Sequence, residues 1–402
     1  MNNVILAVNS GSSSLKFALF AAHHQTAEQS NEPLVSGKLN GIGRQPVLSE
    51  KDKGVPVKIA GPLKDIPVDA SHGSLIPLLL ARLNSVYGNF HIVAAGHRMV
   101  HGGSEFATPV LINKDVRRKL ENLIPLAPLH QPHNLAAIDA IAASMPHLPQ
   151  IACFDTGFHR HMPRLAQLFA LPRNLSDAGI IRYGFHGLSY EYIASVMGND
   201  LGAVADGKVI VAHLGNGASM CAMKNRRCIS TSMGFTALDG LMMGRRSGSL
   251  DAGVILHLIQ QRGLTPDEVW HMLYRQSGLL GVSGISNNMK LLEESSDPNA
   301  REAIDLFCYR AMREIGAMTA VLGGLDALVF TAGIGENSAL VRQQICDRLS
   351  WLGLNIDAHA NAENLPVIST AESLVKIAVI PTNEEAVIAA ATLSLVAIPP
   401  QV

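Results

Sequence analysis

Short apolar runs alternating with amphipathic stretches predict an α/β fold, and a strand-and-turn opening that occurs twice points to a tandem duplication. The first opening is Val4 to Val8 followed by Asn9-Ser10-Gly11-Ser12-Ser13-Ser14; the second is Val209 to Ala212 followed by His213-Leu214-Gly215-Asn216-Gly217. A third run, Ala327 to Phe330, stops in Thr331-Ala332-Gly333-Ile334-Gly335-Glu336-Asn337. Each run is apolar enough for a strand covered on both faces, and each ends in the glycines and small polar residues of a turn. Taken alone, one short match between two openings is also within the reach of chance.

Helices are expected between these strands. Ser74 to Val86 has a polar start and apolar residues at helical spacing, and from Asn299 to Leu322 apolar positions recur every third or fourth residue. The stretch Glu385 to Val396 is apolar nearly all round and ends before Pro399-Pro400, so it is expected to be packed into a core. No low-complexity segment or flexible linker interrupts the chain, which predicts two halves packed around a cleft.

Bulk properties narrow the function. A chain of 402 residues, 48% hydrophobic and 16% charged, has length for two or three domains and the balance of a globular protein. A net charge of -1 gives no global attraction to nucleic acid or an anionic membrane, so small-molecule partners are expected. The five cysteines are scattered with no C-x-x-C, against both a disulfide framework and a zinc ribbon. With no basic leader and no long uncharged apolar stretch, the expectation is a cytoplasmic protein without a membrane span.

Glycine turns after strands expose backbone N–H groups that cradle phosphate oxygens, while serine and asparagine add donors. One such turn is as readily an ordinary tight turn; three together point to a nucleoside triphosphate. Two familiar fingerprints fail. Gly202 to Lys208 satisfies G-x-x-x-x-G-K, but Val209 stands where magnesium needs Ser or Thr, and the match precedes a strand. Gly333-Ile334-Gly335 runs on to Ser338 without a third glycine, so no Rossmann unit is expected.

More specific strings follow in order: N-S-G-S-S-S-L-K-F from Asn9, G-H-R-M-V-H-G-G from Gly96, A-P-L-H-Q-P-H-N from Ala127, and F-D-T-G-F-H from Phe154. R-Y-G-F-H-G from Arg182, A-H-L-G-N-G-A-S from Ala212, F-T-A-G-I-G-E-N from Phe330 and I-P-T-N-E-E from Ile380 complete the set. Together they resemble the acetate kinase family, which includes propionate and butyrate kinases. The resemblance implies a duplicated RNase H-like fold of the actin and sugar-kinase type with a central cleft. It also implies residues 1–155 with 386–402 as one domain and 156–385 as the other, and a homodimer.

A short fatty acid is already ionised at neutral pH, its pKa lying near the ~4.3 of a glutamate side chain, so the nucleophile needs no general base. The obstacle is charge repulsion between carboxylate and triphosphate, which cations and donors must relieve as charge spreads in the transition state. By resemblance, Arg98 holds the substrate carboxylate, Arg246 and His186 stabilise the phosphoryl group in transit, and Asp155 acts either in catalysis or in orienting the substrate arginine; since no proton needs removing, orientation is favoured. Val100, Leu129 and Phe185 match the acyl pocket, with Ala237 in its wall, and His130 sits in a motif that lines the substrate region. Ser12, Ser14 and Lys16 match the N-terminal phosphate loop. His213, Leu214, Gly215, Asn216, Gly217, Asn288, Met289, Lys290, Gly333, Ile334, Gly335, Glu336 and Asn337 match the nucleotide half. Asn9 and Glu384 match the metal positions, with Mg2+ expected, Mn2+ as a substitute, and ATP or ADP as cosubstrate.

Several positions depart from the family pattern. Leu188 and Tyr190 stand in a string that commonly reads H-G-T-S-H, Arg245 replaces threonine, and Ser249 and Ala252 replace Asp and Pro. Asn288 and Lys290 stand where an Asp and an Arg contact nucleotide. Ala237 replaces proline in the acyl pocket, and a smaller wall admits propionate beside acetate, since one methylene changes discrimination by only ~1 to 3 kcal/mol. Two rival readings fit these residues less well. A sugar or polyol kinase of the same fold has no need of Arg98, and a non-catalytic nucleotide switch has no need of Arg98 and Arg246 together. A zinc hydrolase built on His97 and His101, or on His159 and His161, fails because H-R-M-V-H lacks the Glu of H-E-x-x-H and is bounded by glycines.

Overall fold

Uncharged from Val4 to Val8, the first apolar run becomes β1 (Asn2–Ser10), in which Asn2 alone is exposed. The computed structural model describes residues 2–11, 14–22, 32–59 and 66–397; Ser12 and the Pro399-Pro400 pair lie outside them. The chain divides into two units, Met1–Gly157 with Asn383–Val402, and Phe158–Thr382.

In the first unit β1 is flanked by β2 (Ser14–Ala21), β3 (Val35–Asn40), β4 (Val47–Asp52) and β5 (Val55–Pro56) on one side. On the other side lie β6 (Phe90–Met99), β7 (Val110–Leu111) and β8 (Gln150–Phe154), in the sheet order β5-β4-β3-β2-β1-β6-β8-β7. The β1–β2 hairpin is antiparallel, pairing Asn9 with Lys16, and β1, β6 and β8 run parallel. One face packs Val4, Leu6, Val8, Leu15 and Phe17 against Leu75, Leu79 and Leu83 of the helix His72–Val86. That helix starts where Ser71 and Ser74 form a reciprocal capping box. The C-terminal helix Glu384–Leu395 packs on β1, β6 and β8. Its approach to β6 is close: a Cβ on Gly96 would lie 2.1 Å from Thr392 Oγ1 and 2.6 Å from Ile388, so only glycine fits there.

In the second unit β9 (Lys208–Leu214) and β10 (Ala218–Lys224) form the corresponding hairpin, followed by β11 (Arg227–Thr231), β12 (Ala327–Thr331) and β13 (Lys376–Val379). The order β11-β10-β9-β12-β13 repeats β3-β2-β1-β6-β8, with the same two antiparallel and two parallel pairings. The repeated opening in the sequence is thus a repeated topology. The helix Pro298–Leu322, capped by Asp297, packs on β9, β10 and β11. The opposite core joins Tyr190, Ile193 and Met197 to Val209, Val211 and Val329. The third glycine run differs from the other two: Ala332 takes a left-handed φ of 64° and the chain enters a helix, Ala332–Asn337, instead of a hairpin. Among the described residues no helix is long and apolar enough to cross a membrane.

Candidate functional site

Parallel strands present their C-terminal ends side by side, and in open α/β sheets ligands bind there. In the first unit this edge collects Asn9 near the end of β1, Arg98 near the end of β6 and Asp155 just past β8. Arg98 Nε and Nη2 both donate to Asp155 Oδ2, at 2.8 and 2.5 Å, and Nη1 donates to Asn9 Oδ1 at 3.1 Å. Those bonds use three of the five guanidinium N–H groups, leaving by count one on each Nη among the described residues. Burial opposes the charge on Arg98, but Asp155, Glu384 and Glu385 outweigh it and raise its pKa above the ordinary value. The guanidinium therefore stays charged while Asp155, fully buried, fixes its plane.

Asn9 Nδ2 donates to Glu384 Oε2 at 2.8 Å and to Glu385 Oε1 at 3.0 Å, both in the first turn of the C-terminal helix. Lys16 Nζ lies 3.9 Å from Glu385 Oε1. Two carboxylates and an amide are hard oxygen donors of the kind magnesium accepts. The amide oxygen of Asn9 is engaged by Arg98, so Asn9 holds both carboxylates through its Nδ2. Ser14 begins β2, where its carbonyl accepts from Gly11 N–H. Val100, buried, donates through its N–H to Asn134 Oδ1 at 3.3 Å, and Asn134 Nδ2 donates to Ser10 O at 2.7 Å. Asn134 thereby ties the end of β1 to the segment after Arg98. Leu129 and His130 lie at the start of the helix Gln131–Ser144, each partly buried.

The two histidines of H-R-M-V-H, rejected above as a zinc pair, diverge. His97 is buried on β6 with Nε2 2.7 Å from Gln150 Oε1, and burial lowers its pKa to about 4, whereas His101 Nδ1 accepts from Gly103 N–H.

In the second unit His186 occupies a left-handed position, φ 59°, as the N-cap of the helix Gly187–Val196. Its Nδ1 lies 2.8 Å from Ser219 Oγ, which lies 2.5 Å from the hydroxyl of fully buried Tyr190. The His213 ring, from β9, stacks on His186 at 4.2 Å between centroids, and its Nδ1 is 2.8 Å from Ser189 Oγ. His186 and Arg246 converge on Gly217: a Cβ there would lie 3.3 Å from His186 Nε2 and 3.4 Å from Arg246 Nη2. Arg246 Nη1 also donates to Ala237 O at 2.6 Å. Phe185 is buried beside them in sequence, its carbonyl accepting from His159 Nε2.

Gly215, Asn216, Asn288, Met289, Lys290, Gly333, Ile334 and Asn337 line one cavity of about 710 Å³, within the usual range for ligand pockets. Asn287, Glu293, Glu294 and Ser338 complete it. His213, Leu214 and Gly217 belong to the same hairpin but not to this lining. Gly335 is buried against Phe330 and Ala212, and Glu336 turns inward, its Oε1 accepting from Ala332 N–H at 2.8 Å and Thr382 N–H at 3.1 Å. Among the departures, Asn288 caps the helix Met289–Glu293, Arg245 Nη2 reaches Asn287 Oδ1 at 3.4 Å, and Ser249 Oγ donates to Asp239. Leu188 is buried and Ala252 opens the helix Ala252–Gln260. Glu385, Asn134, Ser219 and Ser189 were not singled out from sequence, although all but Ser189 lie inside the quoted strings.

The profile of the Acetokinase family matches residues 4–390. The chain is 48% identical over 392 residues to an acetate kinase of Rhodopseudomonas palustris, covering 97% of each. In structure it is similar to a propionate kinase from Francisella tularensis, with TM-score 0.88, 37% identity, and 98% and 100% of the two chains covered. It is also similar to the acetate kinase of Porphyromonas gingivalis, with TM-score 0.83, 35% identity, and 98% and 99% covered.

Proposed function

The chain belongs to the acetokinase family, and from that premise we propose how its residues divide the transfer of a phosphoryl group between ATP and acetate. The activity is reversible ATP-dependent phosphorylation of the carboxylate, with ATP or ADP as cosubstrate and a divalent metal. The observation that carries the division of roles is the Arg98 clamp. Asp155 and Asn9 fix the guanidinium from two sides and leave hydrogens for a carboxylate, whose planar oxygens suit the fork.

No residue need remove a proton, so Asp155 acts by orientation. His186 Nε2 and Arg246 Nη2 aim at one point over Gly217, where donors stabilise a phosphoryl group in transit. Tyr190 and Ser219 set the His186 ring: with the Tyr190 O–H donating to Ser219 and Ser219 to Nδ1, the His186 proton sits on Nε2. The cavity lined by Asn216, Asn288, Ile334 and Asn337 takes the nucleotide, while Ser12, Ser14 and Lys16 meet phosphate. Magnesium, or manganese in its place, is the ion we assign to Glu384 and Glu385, with Asn9 holding both; bound there, it supplies charge neutralisation to the phosphates.

We extend the proposal to propionate on the strength of Ala237. The division of labour assigns the carboxylate and phosphate side to the first unit, Met1–Gly157 with Asn383–Val402, and the nucleotide side to Phe158–Thr382, in a cytoplasmic homodimer. Hydroxylamine trapping with Mg-ATP tests the reaction: acetate and propionate are expected to yield acyl hydroxamate and glycerol none. No hydroxamate from any short acid would overturn the reading.

A further inference from the structure

Cysteine spacing gave no sign of a metal site, because Cys221 and Cys228 form no C-x-x-C and His159 lies far from both in sequence. Folding brings them together. The pairing of β10 with β11 runs Cys221 to Thr231 and Ala222 to Ser230, then slips so that Met223 faces Cys228. In unbroken register Cys228 would face Lys224 and point to the other side of the sheet; the bulge turns it to the side of Cys221. His159, at the end of the turn Gly157–His159, reaches the same spot. Its Nδ1 lies 3.1 Å from Cys228 Sγ, and the three ligand atoms all lie within 4.8 Å of one another. All three residues are buried, at 1%, 0% and 4% exposure for His159, Cys221 and Cys228.

We propose that His159, Cys221 and Cys228 form a second metal site, distinct from the magnesium position, which takes a thiophilic divalent ion of the zinc class. Three arguments converge. Cys2His is a donor set that holds zinc in proteins, and soft thiolates disfavour magnesium. The histidine is already oriented as a ligand: Nε2 donates to Phe185 O at 3.0 Å, so the neutral ring turns the Nδ1 lone pair toward the cysteines, and such an outer hydrogen bond is the usual support of a metal-bound imidazole. Charge decides the valence. Two thiolates and a neutral imidazole cancel a divalent ion, whereas a monovalent one would leave a net negative charge in a buried place.

The site lies directly behind the proposed phosphoryl-transfer residues. Phe185, which holds the His159 ring, precedes His186, and Cys221 shares β10 with Ser219, the partner of His186 Nδ1. A bound ion therefore ties the backbone that presents His186 to the strand that orients it. The assignment itself rests on the three ligands and stands apart from the reaction proposed above.

Metal analysis of the full chain tests it. Protein made in zinc-supplemented medium and dialysed against EDTA is expected to retain about one zinc per chain, and Co2+ exchange is expected to give near-ultraviolet sulfur-to-cobalt charge-transfer absorption. Cys228→Ser and Cys221→Ser should each lower retained zinc by about tenfold or more, while Glu384→Gln should keep it. Because a cysteine variant can fail to fold, the wild-type cobalt spectrum is the deciding measurement. A wild-type chain without retained zinc and without the charge-transfer band overturns the proposal, as does zinc that survives in Cys228→Ser but is lost in Glu384→Gln.

Discussion

The two units repeat one sheet topology and carry opposite kinds of chemistry on it. At the strand ends of the first unit lie full charges, Arg98 against Asp155, and the carboxylates of Glu384 and Glu385 held by the Asn9 amide. The second unit answers at its equivalent hairpin with hydroxyls and imidazoles, Tyr190 to Ser219 to His186 and Ser189 to His213, and with glycines whose place beside Arg246 a side chain would crowd. Duplication preserved the backbone because strand pairing and burial depend on an apolar pattern that both halves kept. The residues just beyond the strands were free to diverge, and in the division proposed above one set serves the carboxylate and the metal, the other the nucleotide.

The comparison breaks most visibly at Arg98. Arg98→Ala removes the substrate clamp and leaves Asp155 buried without its main cation, a change of about 3 to 5 kcal/mol; kcat/KM for acetate is expected to fall by at least ~100-fold in initial-rate assays. In the other unit, Arg246→Ala or His186→Ala is expected to lower kcat by ~100- to 1,000-fold with little change in acetate KM, as loss of one transition-state donor does. If acetate KM rises as much as kcat falls, the division between the units is wrong.

A buried neutral group in the charged unit gives a pH test. Burial holds the folded pKa of His97 at about 4, below its ordinary 6.5, so its contribution to stability is complete above pH ~6.5 and is lost as pH falls toward 4. That is up to about 3 kcal/mol. Urea unfolding should show it, with His97→Gln flattening the decline between those pH values. Smallest is the relay: Tyr190→Phe removes the hydroxyl behind Ser219, and a loss of ~1 kcal/mol, several-fold in kcat, is expected with the ATP and acetate KM values unchanged. An unchanged pH–rate profile together with unchanged kcat would exclude Tyr190 from orienting His186.

Much of this was legible in the sequence because glycine turns and β-branched runs encode themselves locally. The strands opening at Val4, Val209 and Ala327 and the helices expected from Ser74 and Asn299 follow from periodicity and short strings. What stayed hidden depends on long-range register. Glu336 sits in a phosphate-like string yet spends its carboxylate on the backbone of Ala332 and Thr382, which only the turn of the chain at Ala332 decides. Glu385 looked like any helix-start acid until Asn9 met it. The His159, Cys221 and Cys228 cluster depends on a single slipped residue in a hairpin, and no spacing rule reads a bulge.

The central claim, that carboxylate recognition and nucleotide binding reside in different units, is tested most directly by equilibrium ATP binding to Arg98→Ala, measured by calorimetry alongside the wild type. The account predicts an ATP Kd within about threefold of wild type in a protein that no longer makes acetyl hydroxamate at a comparable rate. A loss of ATP affinity as large as the loss of acetate turnover would contradict it.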